Sequence, residues 1–131
     1  MVESSSVRVI ILLNDILQRD IIRLALTRQG FEAVICPDAS ELPELLDALS
    51  PNALLIDSHL AQYNGIELLQ SLSEQHKLLG IYVMMISSLG FPAIVRQAVE
   101  AGANDFMVKP LDVDLLVSRF IEYRNYNLLG Q

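Results

Sequence analysis

The sequence predicts an α/β fold in which one parallel β-sheet is covered by helices on both faces. Five short apolar, β-branched runs alternate along the chain with five segments whose apolar residues recur at helical spacing. The run Ala53–Ile56 is apolar at every position, which is typical of a strand buried on both faces. A chain of 131 residues is long enough for one domain with a substantial core.

The first half of the chain contains three predicted strands and two predicted helices. The strands are Val7–Leu13, Phe31–Cys36 and Ala53–Ile56, the last of which runs into Asp57. The first helix, Arg19–Gln29, is followed by Gly30, the residue type that tolerates the left-handed backbone after a helix end. Ser40 is predicted to cap a second helix that ends near Leu49, with Pro43 tolerated in its first turn.

The second half continues the alternation. Asn64-Gly65 predicts a turn, because both residue types tolerate positive φ. Gly102 follows a helix that Pro92 begins. The predicted helices are Ile66–Gln75, Pro92–Ala101 and Val113 to about Tyr123, and the predicted strands are Ile81–Ile86 and Asp105–Val108. The domain is therefore expected to cover residues 1–123, with 124–131 as a tail or the start of a linker.

Composition and charge narrow the classes of function. The net charge is −7, with 9 Lys and Arg against 16 Asp and Glu, so direct binding to nucleic acid is not expected. No apolar run approaches the ~18 residues of a membrane span, and the first residues lack the pattern of a secretory signal. A single cysteine, Cys36, excludes an internal disulfide and agrees with a reducing cytoplasm.

Polar residues follow several predicted strands. Because the carboxyl ends of parallel strands meet at one edge of the sheet, the residues expected there are Asn14, Asp15, Asp57, Ser87 and Lys109. A carboxylate, a hydroxyl and an ammonium group together suit a phosphoryl group: one is a nucleophile, one a hydrogen-bond donor and one a neutralising cation. No glycine-rich nucleotide loop is present, and the two histidines lack partners at zinc-ligand spacing. Asp57 could instead only cap the strand or start a turn.

Four segments together resemble a known family. They are L-L-I-D-S-H-L-A-Q-Y-N-G around Asp57, M-M-I-S-S at Ser87, E-A-G-A-N-D-F-M-V-K-P before Pro110 and R-D-I-I-R-L-A-L-T-R-Q-G-F in the first helix. Over nearly its whole length, the chain resembles a receiver domain of a bacterial two-component response regulator. This resemblance implies a flavodoxin-like fold with sheet order 2-1-3-4-5.

The resemblance also implies roles for individual residues. Asp57 would accept phosphate from a histidine kinase or phosphotransfer protein. The hydroxyl of Ser87 would move toward the phosphoryl group, and Lys109 would be the cation that pairs with this group. Phe106 takes the aromatic switch position, and a cis peptide bond is expected between Lys109 and Pro110. Plain core packing is an equally good interpretation of Phe106. Such a domain is a signalling module, and any catalysis would be limited to its own phosphorylation and dephosphorylation.

The chain departs from the family at the metal site. The family holds Mg²⁺ with two adjacent acids after the first strand, together with the acceptor. Without a gap, the alignment puts Leu13 and Asn14 on this pair, whereas a one-residue deletion puts Asn14 and Asp15 there. The expected ligands are Asp15 and Asp57 with a weak contribution from Asn14, so Mg²⁺ binding should be weakened. Ala61 also replaces the usual proline after the acceptor.

Two functions remain open from the sequence. In the first, phosphorylation of Asp57 changes the face formed by the fourth helix, the fifth strand and the fifth helix. This face would contact a downstream output domain or protein, or a second copy of the chain through intermolecular ion pairs of Arg96, Glu100, Asp105, Asp112 and Arg119. In the second, the chain is a pseudo-receiver, a binding module that needs no phosphate.

Overall fold

A five-stranded parallel sheet forms the centre of the computed structural model, which describes residues 6–129. Its strands are β1 (Arg8–Leu12), β2 (Glu32–Ile35), β3 (Ala53–Asp57), β4 (Tyr82–Ser87) and β5 (Asp105–Val108). They lie in the order β2-β1-β3-β4-β5, and every neighbouring pair is parallel. The flavodoxin-like fold and its strand order are therefore confirmed.

Five helices cover the two faces of this sheet. They are α1 (Ile16–Arg28), α2 (Leu42–Leu49), α3 (Gly65–Glu74), α4 (Pro92–Ala101) and α5 (Val113–Leu129). Each strand sends alternate side chains to opposite faces, so Ile10, Leu54 and Ile56 pack against α2, α3 and α4. The intervening Ile11 and Leu55 pack against α1 and α5. None of the helices within residues 6–129 has both the length and the apolar surface to cross a membrane.

The ends of two helices differ from their predicted positions. α1 begins at Ile16 rather than Arg19, because the carboxylate of Asp15 accepts a hydrogen bond from Gln18 N and caps the helix. α5 continues past Tyr123 to Leu129, so most of the predicted tail is helical. The ring of Tyr123 stacks on Tyr82 with 4.7 Å between ring centroids, a tertiary contact that favours this longer helix. Residues 130–131 of the predicted tail lie outside the described residues.

The predicted cap of α2 was wrong. Asp38, not Ser40, caps this region: its carboxylate accepts from the backbone N–H and the hydroxyl of Ser40, and a short 3₁₀ turn, Ala39–Glu41, precedes α2. The helix itself starts at Leu42, with Pro43 in its first turn as predicted. All five predicted strands agree with the structure to within one residue at each end, and the third ends at Asp57 as predicted.

Candidate functional site

The sheet brings Asp57 and Lys109 into contact. Asp57 is the last residue of β3 and is 1% exposed. Lys109 follows β5, and its Nζ donates to Oδ2 of Asp57 at 2.7 Å. The other carboxylate oxygen accepts from the backbone N–H of His59 at 3.1 Å, so Asp57 also starts the turn that follows the strand. The carboxylate is therefore buried, ion-paired and hydrogen-bonded through both oxygens.

The backbone near β5 positions Lys109 for this contact. Its N–H donates to the carbonyl oxygen of Ser87 at 2.8 Å, which extends the pairing of β4 and β5 by one hydrogen bond. The peptide bond between Lys109 and Pro110 is cis, as predicted. Three residues expected at this edge of the sheet, Asp57, Ser87 and Lys109, therefore do lie together.

Ser87 is fully buried, and its hydroxyl contacts Ser58 rather than Asp57. The hydroxyl of Ser58 donates to Ser87 Oγ at 2.7 Å, and the backbone N–H of Leu89 donates to the same oxygen at 3.0 Å. Ser58 was not among the predicted site residues. Its signal is the parallel register, because pairing Asp57 with Ile86 places the following residues, Ser58 and Ser87, side by side.

The segment after Asp57 is a small hairpin rather than a simple turn. Two residue pairs, His59–Leu60 and Tyr63–Asn64, form antiparallel strands. Positive φ occurs at Gln62 (+68°), whereas Asn64 has φ −94° and caps α3 by accepting from Ile66 N and Glu67 N. The predicted reason for Asn64-Gly65, tolerance of positive φ, was therefore wrong.

Gly65 is required by a close backbone approach at Asp57. A Cβ at this position would lie 2.1 Å from the carbonyl oxygen of Asp57, well inside any allowed contact. The N–H of Gly65 donates to the carbonyl oxygen of Ser58 at 2.7 Å. The first turn of α3 thus packs directly on the end of β3 and fixes the backbone that carries Asp57.

The residues around Asp57 do not fit a divalent metal ion. The β1–β3 pairing ends at Leu12 and Ile56, and the residue that follows Leu12 is Leu13, a buried apolar side chain with no ligand atom. The Asp15 side chain is exposed, and its carboxylate caps α1. Within residues 6–129, no group of three or more His, Cys, Asp or Glu side chains could hold a metal ion. Asn14 is also exposed, so Asp57 is the one buried side chain among the expected ligands Asp15, Asp57 and Asn14.

Phe106 and the charges of the predicted contact face have well-defined neighbours. Phe106 is half-buried on β5 and packs against the core on the α2, α3 and α4 side. Asp105 accepts two hydrogen bonds from Arg119 Nη1, at 2.7 and 2.8 Å, and one from the hydroxyl of Tyr82 at 2.8 Å. Two of the charges predicted for intermolecular pairs, Asp105 and Arg119, are thus paired with each other within the chain.

This network shifts the pKa of two side chains. Burial, followed by the hydrogen bond to Asp105, raises the pKa of Tyr82 well above its ordinary value. Burial alone would raise the pKa of Asp105, but the hydrogen bonds from Arg119, Tyr82 and the Phe106 N–H together lower it. Elsewhere, burial raises the pKa of Cys36 to about 11, which favours the protonated thiol at neutral pH.

Comparison with known proteins identifies the family. The family model of the response regulator receiver domain matches residues 9–121. The chemotaxis protein CheY1 of Helicobacter pylori is 33% identical over 100 residues, which cover 75% of this chain and 81% of CheY1. The DNA-binding dual master transcriptional regulator RpaA of Synechocystis is 26% identical over 112 residues, 86% of this chain. The chain spans 46% of RpaA and 14% of protein RcaC from Microchaete diplosiphon, so it matches only part of these longer relatives.

Solved structures give the same result for the fold. The receiver domain of a putative response regulator NarL from Mycobacterium tuberculosis is 25% identical, with a TM-score of 0.78 over 91% of this chain and 96% of that one. A CheY-like receiver domain from Methanospirillum hungatei is 22% identical, with a TM-score of 0.85 over 97% of this chain and all of that one. Such domains are signalling modules of two-component systems that act between kinases or phosphotransfer proteins and outputs. This chain belongs to the response regulator receiver domain family.

Proposed function

We propose that this receiver domain is a phosphoryl-accepting switch whose acceptor is Asp57. The observation that carries the proposal is the contact between the buried carboxylate of Asp57 and Lys109 at the carboxyl edge of the sheet. In the transfer, a carboxylate oxygen of Asp57 attacks phosphorus, the P–N bond of a phosphohistidine breaks, and the imidazole leaves with the bonding electron pair. The donor is a histidine kinase or a phosphotransfer protein.

Two further side chains have roles in this switch. Lys109 moves with the new charge and pairs with an oxygen of the phosphoryl group. Ser87 turns its hydroxyl toward another phosphoryl oxygen, and in doing so gives up its hydrogen bond from Leu89 N. Because Leu89 lies in the segment between β4 and α4, this exchange can move that segment and allow Phe106 to turn further inward.

The surface that binds the downstream partner when Asp57 is phosphorylated is the α4-β5-α5 face. Its α4 side has an apolar groove, and Phe91 and Val99 beside it are 64% and 56% exposed. The groove is lined by Gly90, Pro92, Val95, Arg96, Val99 and Glu100. An output domain or protein, or a second copy of the chain, binds this surface. Arg96 and Glu100 remain candidates for intermolecular ion pairs, whereas Asp112 caps α5 by accepting from Leu115 N.

Intact-mass analysis after incubation with acetyl phosphate tests the acceptor. We expect wild-type protein to gain one phosphoryl group, Asp57→Asn to gain none, and Asp114→Asn, which changes an exposed carboxylate, to behave like wild type. The same gain in Asp57→Asn would exclude Asp57 as the acceptor.

Light scattering coupled to size exclusion, with and without beryllofluoride, tests the homodimer. A monomer under both conditions at high concentration would exclude the homodimer.

A second function is favoured by the metal site. In the gapless alignment Leu13 takes the position of one family acid, and the Asp15 carboxylate caps α1. These features favour a phosphorylation-independent binding module that uses the same α4-β5-α5 face, with Asp57 and Lys109 retained as a structural ion pair. Absence of phosphorylation from acetyl phosphate and from kinases, together with partner binding that Asp57→Asn leaves unchanged, would identify this function.

A further inference from the structure

The hydrogen bond between Ser58 and Ser87 lies in the protein interior. Ser58 is 3% exposed, Ser87 is fully buried, and the two oxygens are 2.7 Å apart. The backbone of Ser58 is fixed on both sides: its N–H donates to Ile86 O at 2.9 Å, and its carbonyl oxygen accepts from Gly65 N at 2.7 Å. The backbone that carries the Ser58 hydroxyl is thus held by the sheet and by α3.

The hydrogen bonds of Ser87 account for its position away from Asp57. A serine oxygen has two acceptor sites, and Ser87 Oγ receives one hydrogen bond from Ser58 and one from Leu89 N. The Ser58 hydroxyl donates to Ser87, and its oxygen also lies within hydrogen-bond distance, 2.9 Å, of Nδ1 of His59. A chain of hydrogen bonds therefore links the hairpin after Asp57 to the segment after β4.

We infer that Ser58 is a positioning residue that holds Ser87 in the unphosphorylated position and so opposes the switch. The inference rests on the proposed function, in which Ser87 turns to the phosphoryl group on Asp57. That movement breaks the bond to Ser58 in a site where a buried hydroxyl is costly to leave unpaired. Ser58 therefore weakens the binding of any phosphoryl-like group at Asp57, although it does not touch that group itself.

Beryllofluoride binding, followed by amide NMR on the full chain, measures this effect. Because one neutral hydrogen bond is lost when Ser87 turns, we expect Ser58→Ala to bind beryllofluoride roughly three- to tenfold more tightly than wild type. Ser118→Ala, which removes an exposed hydroxyl on α5, is the matched control and should leave the affinity unchanged. If Ser58 had only a structural role, Ser58→Ala would lower the stability of the protein, and its affinity for beryllofluoride would be unchanged or weaker.

A double-mutant cycle separates action through Ser87 from any other effect. With Ser87→Ala already present, adding Ser58→Ala should change the affinity for beryllofluoride by less than about twofold. The same gain in both backgrounds, or no gain in wild type, would overturn the inference. If Ser58→Ala does not fold, the isosteric pair Ser58→Thr and Ser58→Val isolates the hydroxyl, and the valine variant should bind more tightly. Equal affinities in this pair would also overturn it.

The proposed function fails in a different way. If wild-type protein and every variant give no beryllofluoride-dependent shifts, the phosphoryl-accepting switch is wrong, and the inference about Ser58 falls with it. If wild-type protein binds and Ser58→Ala binds equally well, the switch stands and only the inference is wrong.

Discussion

Lys109 Nζ lies 2.7 Å from Asp57 Oδ2, although the two residues are 52 positions apart in the chain and belong to strands that are not neighbours. The end of β4 lies between them, with Ser87 as its last residue. A positive group is therefore held at the point where phosphorylation would add negative charge. The same contact neutralises a carboxylate that is 1% exposed. The proposed switch and the stability of the fold thus both involve this pair.

Replacing Lys109 should destabilise the protein. Lys109→Met leaves the buried carboxylate of Asp57 without its cation, and we expect the free energy of unfolding to fall by about 2–4 kcal/mol. Lys77→Met removes the surface partner of Asp47, which is 66% exposed, and should cost less than about 1 kcal/mol. Urea denaturation measures both variants.

The double variant Lys109→Met with Asp57→Asn provides the check on this explanation. It should be more stable than Lys109→Met alone, because the uncompensated charge is gone. A double variant that is less stable by the sum of the two single effects would contradict the ion-pair explanation.

Gly65→Ala should disrupt the site through the backbone. Its Cβ would lie 2.1 Å from the carbonyl oxygen of Asp57, so α3 and the end of β3 must separate, at a cost of about 3 kcal/mol. Gly80→Ala is the comparison: its Cβ meets nothing within 4 Å, and its φ of +75° alone should cost about 1–2 kcal/mol. Equal destabilisation of the two variants by urea would show that the close approach at Gly65 is easily relieved.

The Tyr82–Asp105–Arg119 network should make stability depend on pH at the alkaline end. The raised pKa of Tyr82 means that the unfolded chain loses its phenolic proton first, at about pH 10. The contribution of protonated Tyr82 to the free energy of unfolding is therefore fully present below that pH and is lost as the pH rises above it. Tyr82→Phe should flatten this alkaline loss and lower stability at neutral pH by about 1 kcal/mol. An unchanged alkaline slope would remove Tyr82 from the explanation.

The same network predicts a loss of stability in acid. The pKa of Asp105 is lowered, so its contribution is present above the unfolded value of about 4 and is lost as the pH falls toward the lower folded value. Asp105→Asn should reduce this acid loss in thermal unfolding measured between neutral and acidic pH. An exposed acid, as in Asp20→Asn, provides the control.

Restoring two acids at the metal site should increase the affinity for Mg²⁺. Leu13 and Asn14 occupy the positions of the acid pair when the sequence is aligned without a gap, and Leu13 is buried directly after the end of β1. Leu13→Asp combined with Asn14→Asp should tighten Mg²⁺ binding at least roughly tenfold, because each adds a charged oxygen ligand. Asp15→Asn should leave Mg²⁺ binding unchanged. Strong Mg²⁺ binding by wild-type protein that Asp15→Asn abolishes would contradict this placement.

Physical reasons explain why the sequence predicts most of the fold and the positions of Asp57 and Lys109, but not the contact between Ser58 and Ser87. Unbroken apolar runs such as Ala53–Ile56 require burial on both faces, and parallel strands bring residues such as Asp57 and Lys109 to one edge. The contact between Ser58 and Ser87 depends on the register between two strands, which no local pattern encodes.

Other features depended on tertiary contacts or on competing local roles. α5 extends beyond Tyr123, and Arg124 on its added turn lies over the ring of Phe31 at 4.4 Å, a contact with the segment between α1 and β2. Asp15 is a suitable metal ligand by residue type, but its position before α1 equally suits a helix cap, and the structure has the cap. A carboxylate near a strand end was not enough to decide between these roles.

Amide NMR with Mg²⁺ and then beryllofluoride tests the phosphoryl-accepting switch most directly. We expect saturable shifts at Asp57, Ser87 and Lys109 on adding beryllofluoride, which spread through Leu89 to Phe106 and the exposed face of α4. Asp57→Asn should abolish them. No response to beryllofluoride at millimolar Mg²⁺, in a folded wild-type protein, would contradict the switch and leave the phosphorylation-independent binding module as the function of this domain.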